Sequence, residues 1–198
     1  MKKVLSLLSL CLVVVLVSFT SLNNKKLIVI DAGHGGHDHG AVANDINEKD
    51  IVAQISKKIF EQNDPSKVEI VLLRDTDNFI SLTDRVNRIN ELNPDLIISL
   101  HVNSHPKDLQ SGVEAYVSEN NSHHETSRAQ AEKIIKAIAN DKLKLGKVKQ
   151  ANFTILKKSN CPAISLELGF ISNENDRKYI TSEEGQNEIA ANIIKSIQ

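Results

Sequence analysis

Short runs rich in β-branched and aliphatic residues recur along this chain, and between them lie stretches whose apolar residues fall three or four apart. Leu27-Ile28-Val29-Ile30, Val68-Glu69-Ile70-Val71-Leu72-Leu73, Asp95-Leu96-Ile97-Ile98-Ser99-Leu100 and Ala163-Ile164-Ser165-Leu166-Glu167-Leu168 read as strands, several of them apolar on both faces. A strand without a polar face must be covered on both sides, so the pattern calls for a central sheet between helices, an α/β fold. Val113 to Val117 and Phe153-Thr154-Ile155-Leu156 are read as two further strands. Helical stripes are expected from about Glu48 to Gln62, behind an N-cap at Ser81 with Pro94 as the stop, from about Ser122 to Leu143, and in two closing helices. At 198 residues the chain suffices for one medium domain, placed at residues 25–198.

The first residues are of another kind. Lys2 and Lys3 precede an apolar run from Val4 to Ser18, the form of an export signal over residues 1–21. A cut after Thr20 or Ser21 is expected, with an uncleaved membrane anchor as the alternative, and Leu10 before Cys11 argues against a lipoprotein signal. The expectation is therefore an exported protein of the periplasm or cell envelope.

Charge is balanced, with 24 Lys and Arg against 25 Asp and Glu, so nothing marks the chain as a nucleic-acid binder, and the only membrane contact expected is through an uncleaved signal. Cys11 lies in the signal, leaving Cys161 as a single thiol that can form no internal disulfide and is read as structural.

In open α/β sheets functional groups collect beyond the carboxyl ends of the strands. His34 follows the first strand in a glycine-rich loop, His101 follows the third, and Glu167 lies in the last, among residues that should be buried. A buried carboxylate must be paired, metal-bound or protonated. Glu48 opens a helix, where an acid also complements the helix dipole. Two imidazoles and a carboxylate satisfy the recipe for a catalytic zinc site with one open position, and a spare carboxylate can serve as general base. Glu114 alternates with Val113, Ala115 and Val117 and is the rival base. Arg74 and Arg85 are candidates for holding a substrate carboxylate or for structural ion pairs, and Asn103 for donating to substrate or forming a turn. His105, His123 and His124 sit in polar stretches and are read as surface residues.

Seven segments, in order, resemble the zinc-dependent N-acetylmuramoyl-L-alanine amidases of the amidase-3 type: Ile28 to Gly36, Glu48-Lys49-Asp50, Leu73 to Asp77, Ser81 to Val86, Ser99 to Ser104, Gly112-Val113-Glu114 and Leu166 to Asn173. The resemblance implies one zinc per chain at His34, Glu48 and His101, Glu167 as the catalytic glutamate, and peptidoglycan as substrate, cut between the lactyl group of N-acetylmuramic acid and L-alanine. It also implies a single domain with a twisted, mixed sheet of about six strands and helices on both faces. His37 and His39 depart from the family pattern and are read as a solvent-facing pair, an additional ligand being the alternative. Some members insert a helix that plugs the site after the fourth strand; Val117 to Ser127 is too short for one, so an open cleft is expected. The competing readings are another zinc peptidase or deacetylase, and a non-catalytic wall-binding module.

Overall fold

The computed structural model describes residues 25–107 and 109–198. The expected signal at 1–21 lies outside the described residues, and among these no helix is long and apolar enough to cross a membrane. The strands are β1 (Lys26–Ala32), β2 (Val42–Ala43), β3 (Ile46–Asn47), β4 (Val68–Leu72), β5 (Leu96–Asn103), β6 (Val113–Val117), β7 (Leu145–Gln150) and β8 (Ala163–Phe170). The helices are α1 (Glu48–Gln62), α2 (Leu82–Leu92), α3 (His124–Ile138), α4 (Thr154–Lys158), α5 (Glu174–Ile180) and α6 (Glu183–Ile197). Six strands form one sheet in the order β4-β1-β5-β8-β6-β7, with every neighbouring pair parallel except β6 and β8. The mixed α/β sheet of the sequence reading is what the chain forms.

Each sheet face has its own cover. Ile28, Ile30, Ile98, Leu100, Ile164 and Leu166 pack against α1, α3 and α6 in the main core. On the opposite face Val29, Ile97 and Ala163 are covered by Val86 and Ile89 of α2 and by Ile155 and Leu156 of α4. Side chains two apart share a face. Following this second face towards the carboxyl ends of the strands therefore leads from Val29 to Asp31, from Ile97 to Ser99 and His101, and from Ala163 to Ser165 and Glu167. The face turns from apolar to polar where the cover of α2 and α4 ends, and that boundary sets the site.

Two elements differ from expectation. Phe153-Thr154-Ile155-Leu156, read as a strand, is the start of the short helix α4, with Phe153 at its N-cap position. Its two adjacent apolar residues both reach the core from a single turn, so burial overrides their β-propensity. The sixth strand is instead β7, whose Leu-Gly-Lys-Val-Lys-Gln buries no residue fully: only Val148 packs partly against the main core, and Lys147 and Lys149 guard this open edge of the sheet. The helix expected over 122–143 ends at Ile138, while Leu143 remains buried in the loop that follows. Ser81 caps α2 as the sequence indicates, accepting from the backbone of Asp84 at 3.1 Å. The helix ends at Asn93 in a left-handed conformation just before Pro94.

A two-residue hairpin, unread in the sequence, joins β2 to β3 through Asn44 and Asp45, both at positive φ, as a tight turn of this hand requires. It delivers Glu48 to the first position of α1, beside the end of β5.

Candidate active site

Three elements bring His34, Glu48 and His101 together: the loop after β1, the first turn of α1, and β5. One ligand atom from each lies within 4.8 Å of the others. Tetrahedral zinc with bonds near 2.1 Å separates its ligands by about 3.4 Å, so the group needs little adjustment to close on an ion. Glu48 Oε1 stands 3.2 Å from His34 Nε2 and 2.9 Å from His101 Nδ1. The backbone amides of Val102 and Ala41 donate to the two Glu48 oxygens, at 2.9 and 2.8 Å, and hold the carboxylate in place.

Each imidazole has a second partner that selects its tautomer. His34 Nδ1 lies 2.9 Å from Asp38 Oδ2, which accepts its proton and leaves Nε2 facing Glu48. His101 Nε2 lies 3.3 Å from Ser99 Oγ, whose own hydroxyl donates to Asp31 at 2.7 Å, so His101 is left with Nδ1 as its free donor atom. These assignments follow from the partners of each ring nitrogen. Behind them, fully buried Asp31 pairs with Arg85, which also donates to the carbonyl of Ala32 at 2.9 Å.

The electrostatics of the cluster favour positive charge at its centre. The hydrogen bond to Glu48 raises His34 to about 9, against its burial and with help from Asp38. Burial alone would depress His101, yet Glu48, Glu167 and Asp31 together hold it above the ordinary imidazole range. Glu48 is driven well below the usual carboxylate range, its burial outweighed by hydrogen bonds with both histidines. The carboxylates that favour a proton on these imidazoles would equally favour a divalent cation, which must displace that proton to bind. Two imidazoles and a carboxylate, with the imidazoles oriented by Asp38 and Ser99, fit zinc by donor type as well.

Backbone approach is just as tight. A Cβ at Gly33 would stand 2.4 Å from His101 Cε1, and one at Gly40, where φ is +67°, 2.5 Å from Glu48 Oε2. Both positions require glycine for the ring and carboxylate to lie where they do. His34 itself has φ 60°, a left-handed conformation that costs on the order of 1 kcal/mol for such a residue.

Glu167 stands beside this group without joining it. In the sheet register it is opposite His101 on one side and Glu114 on the other, so all three project from the same face. Because β6 runs against β8, its second residue reaches the same rim as the fifth residue of β8. Burial raises the Glu167 carboxyl to about 7, and no hydrogen bond reaches it among the described residues. Glu114 is engaged, accepting from Lys149 Nζ at 2.7 Å and from Asn103 Nδ2 at 3.4 Å.

Arg74 and Arg85 lie under the loop, 4% and 3% exposed. The Arg74 guanidinium donates to the carbonyls of Ala32, Gly33, Lys49 and Thr76 at 3.0 to 3.3 Å, bracing the loop rather than facing solvent. Replacing Arg85 by Ala should destabilise the fold by about 3–5 kcal/mol, because Asp31 would be left as a buried charge without a partner. A denaturant titration checks this, and a shift under 1 kcal/mol would refute the bracing role.

His37 and His39 are exposed and stand apart from the three-ligand group; the His37 ring rests on Phe79 with centroids 4.3 Å apart. Cys161 is buried, and burial pushes its thiol up to about 11, consistent with a structural thiol. Residues 118–123 form turns with no helix between β6 and α3, and the cleft above the site, about 460 Å³ in volume, is open.

The sequence reading missed Asp38, Ser99 and Asp31. The argument that singled out Glu167, a charge within an apolar strand, applied equally to Asp31.

Comparison with known proteins follows the same lines. A family model described as N-acetylmuramoyl-L-alanine amidase matches residues 28–198. The uncharacterized protein YqiI of Bacillus subtilis strain 168 is 33% identical over 172 residues, covering 87% of this chain and 83% of that protein. The endolysin of Bacillus phage SPP1 is 34% identical over 171 residues and 84% of this chain, which spans 62% of the endolysin, less than two thirds of its length. Among solved structures, an N-acetylmuramoyl-L-alanine amidase from Clostridium difficile 630 superimposes with a TM-score of 0.81 at 28% identity, over 88% of this chain and 96% of its own. With the family model matched from β1 to the C-terminus and the same fold in a solved amidase, this chain belongs to the N-acetylmuramoyl-L-alanine amidase family of the amidase-3 type.

Proposed function

We propose that this chain hydrolyses the amide between the lactyl group of N-acetylmuramic acid and L-alanine in peptidoglycan, with zinc held by His34, Glu48 and His101 and with Glu167 as general base. The observation that carries this reading is the arrangement of the rim. Three ligand atoms converge while a second carboxylate, that of Glu167, beside them and without a hydrogen bond among the described residues, faces the same open cleft.

Bound there, zinc supplies Lewis acidity towards water and towards a carbonyl oxygen. The protein does the rest. Asp38 and Ser99 keep each imidazole in the tautomer that presents its lone pair, and the amides of Val102 and Ala41 keep Glu48 ionised and fixed. Glu167 is poorly hydrated, so its carboxylate takes a proton from the attacking water and returns it to the departing amine. One water is consumed, the C–N bond breaks, and a carboxylate and a free L-alanine amino group result. Glu114 is tied to Lys149 and fits the role of base less well. Arg74 and Arg85 support the loop and leave substrate recognition to the cleft walls. Peptidoglycan lies outside the cytoplasm, and the export-like segment at 1–21 would provide the route there.

Incubating the purified, zinc-loaded protein with peptidoglycan tests the proposal. Free L-alanine amino termini should appear without new reducing sugars. Release of acetate, new amino termini within the stem peptide, or new reducing ends would each reject it in favour of a deacetylase, a peptidase or a glycosidase.

A further inference from the structure

The cleft beside the candidate metal group has a wall that the hydrolytic reading leaves unused. It is lined by His34, His101 and Glu167 on the reacting side and by Leu82, Asn152 and Phe153 beyond, and it carries no lysine or arginine. Phe153 is 46% exposed although it sits over the core of α4, and its ring packs on Tyr116 with centroids 5.3 Å apart and planes tilted by 48°. Lys149, the cross-strand neighbour of Tyr116, sets its ammonium 5.7 Å from the centroid of that ring, so Tyr116 is held between Phe153 and Lys149. Beside it, Asn152 Oδ1 accepts from Ser118 Oγ and from Asn120 Nδ2, both at 2.9 Å. Its carbonyl oxygen is thus fully used, which leaves the Asn152 amide N–H groups without a protein acceptor among the described residues.

We propose that Phe153, backed by Tyr116, and the Asn152 amide form a subsite for the pyranose ring of the sugar, and that this subsite sets the preference for a glycan-bearing substrate. The proposal rests on the amidase reading above. An exposed aromatic face next to a fixed amide donor suits a sugar, whose C–H face is apolar and whose hydroxyl and acetamido oxygens accept hydrogen bonds. Charge weighs against the peptide half of the substrate, because a peptide brings carboxylates, no lysine or arginine lines this wall, and the nearby Lys149 is already paired with Glu114 at 2.7 Å. Position agrees: Tyr116 lies opposite Ser165 in the register, two residues along β8 from Glu167, or about 7 Å. A pyranose joined to the scissile carbonyl by its three-bond lactyl ether bridges that gap.

The test compares two substrates carrying the same amide, N-acetylmuramoyl-L-alanyl-D-isoglutamine and N-lactoyl-L-alanyl-D-isoglutamine. In the zinc-loaded full chain the ratio of their kcat/KM values should favour the sugar. Phe153→Ala should shrink that ratio by about tenfold through KM, Asn152→Ala should shrink it by a smaller factor, and Phe153→Trp should retain it. A ratio unchanged in both alanine variants overturns the subsite, as does a wild-type ratio of one. Hydrolysis of neither substrate by the wild-type chain would instead sink the amidase reading itself, so the two failures are distinguishable.

Discussion

Glu167→Gln should lower kcat by about 10²- to 10⁴-fold while the protein still binds one zinc ion per chain with wild-type affinity. The substitution keeps the size and hydrogen-bonding outline of the side chain, and Glu167 is not one of the three residues whose ligand atoms converge. What it removes is the ability to accept a proton. Because that proton moves in the transition state, the loss should fall on kcat and kcat/KM together rather than on KM. The rival base gives a contrasting expectation. Glu114 Oε2 is occupied by Lys149, so Glu114→Gln should cost far less than the change at Glu167. Steady-state kinetics on a soluble muramoyl peptide, with zinc measured on the same samples, separates the two. If the glutamine variant at 114 were the inactive one and that at 167 retained activity, the roles would be exchanged.

Much of this arrangement could be read before any fold was known, for a physical reason. Buried strands announce themselves by unbroken aliphatic runs, and a charge inside such a run, as at Glu167, is costly enough to demand an explanation. Strands β1, β4, β5 and β8 were legible on that ground, and β6 by the alternation of Val113, Ala115 and Val117 with Glu114 and Tyr116. Strand β7 was not, since its only apolar contact with the core is through the half-buried Val148, too little to give a pattern, and an edge strand is safer with lysines. Helix α4 was misread because Thr and Ile favour strands locally, and only the tertiary position of Ile155 and Leu156 against Val86 and Ile89 decides otherwise. The site divides in the same way. His34, Glu48 and His101 were found as metal-compatible groups near strand and helix ends. Asp38 and Ser99 lie only four and two residues from the histidines they orient, but a short polar residue beside a histidine is too common to single out; the bonds that tie Asp31 to Arg85 and to Ser99 span 54 and 68 residues, which no local pattern encodes.

His101→Ala should abolish both zinc binding and hydrolysis, removing the metal and the chemistry at once. Its ring is held between Glu48 and Ser99, and truncation leaves Glu48 facing a single imidazole. Two neutral or anionic donors remain where catalytic zinc sites use three, so affinity should fall below what survives dialysis. Stability supplies an independent readout. An ion that binds only the folded chain stabilises it by about 2.7 kcal/mol at a hundredfold excess over Kd, so zinc should raise the thermal midpoint of the wild type and leave that of the variant unmoved. Ser99→Ala and Asp38→Ala serve as graded controls, because each removes the partner that fixes an imidazole tautomer while sparing the ligand atom. Each should weaken zinc by about 10- to 100-fold and recover activity when zinc is supplied in excess, which His101→Ala should not. Retention of zinc by His101→Ala through chelator dialysis, with a zinc-dependent rise in its midpoint, would mean that the ion sits elsewhere and that the convergence of His34, Glu48 and His101 serves only the fold.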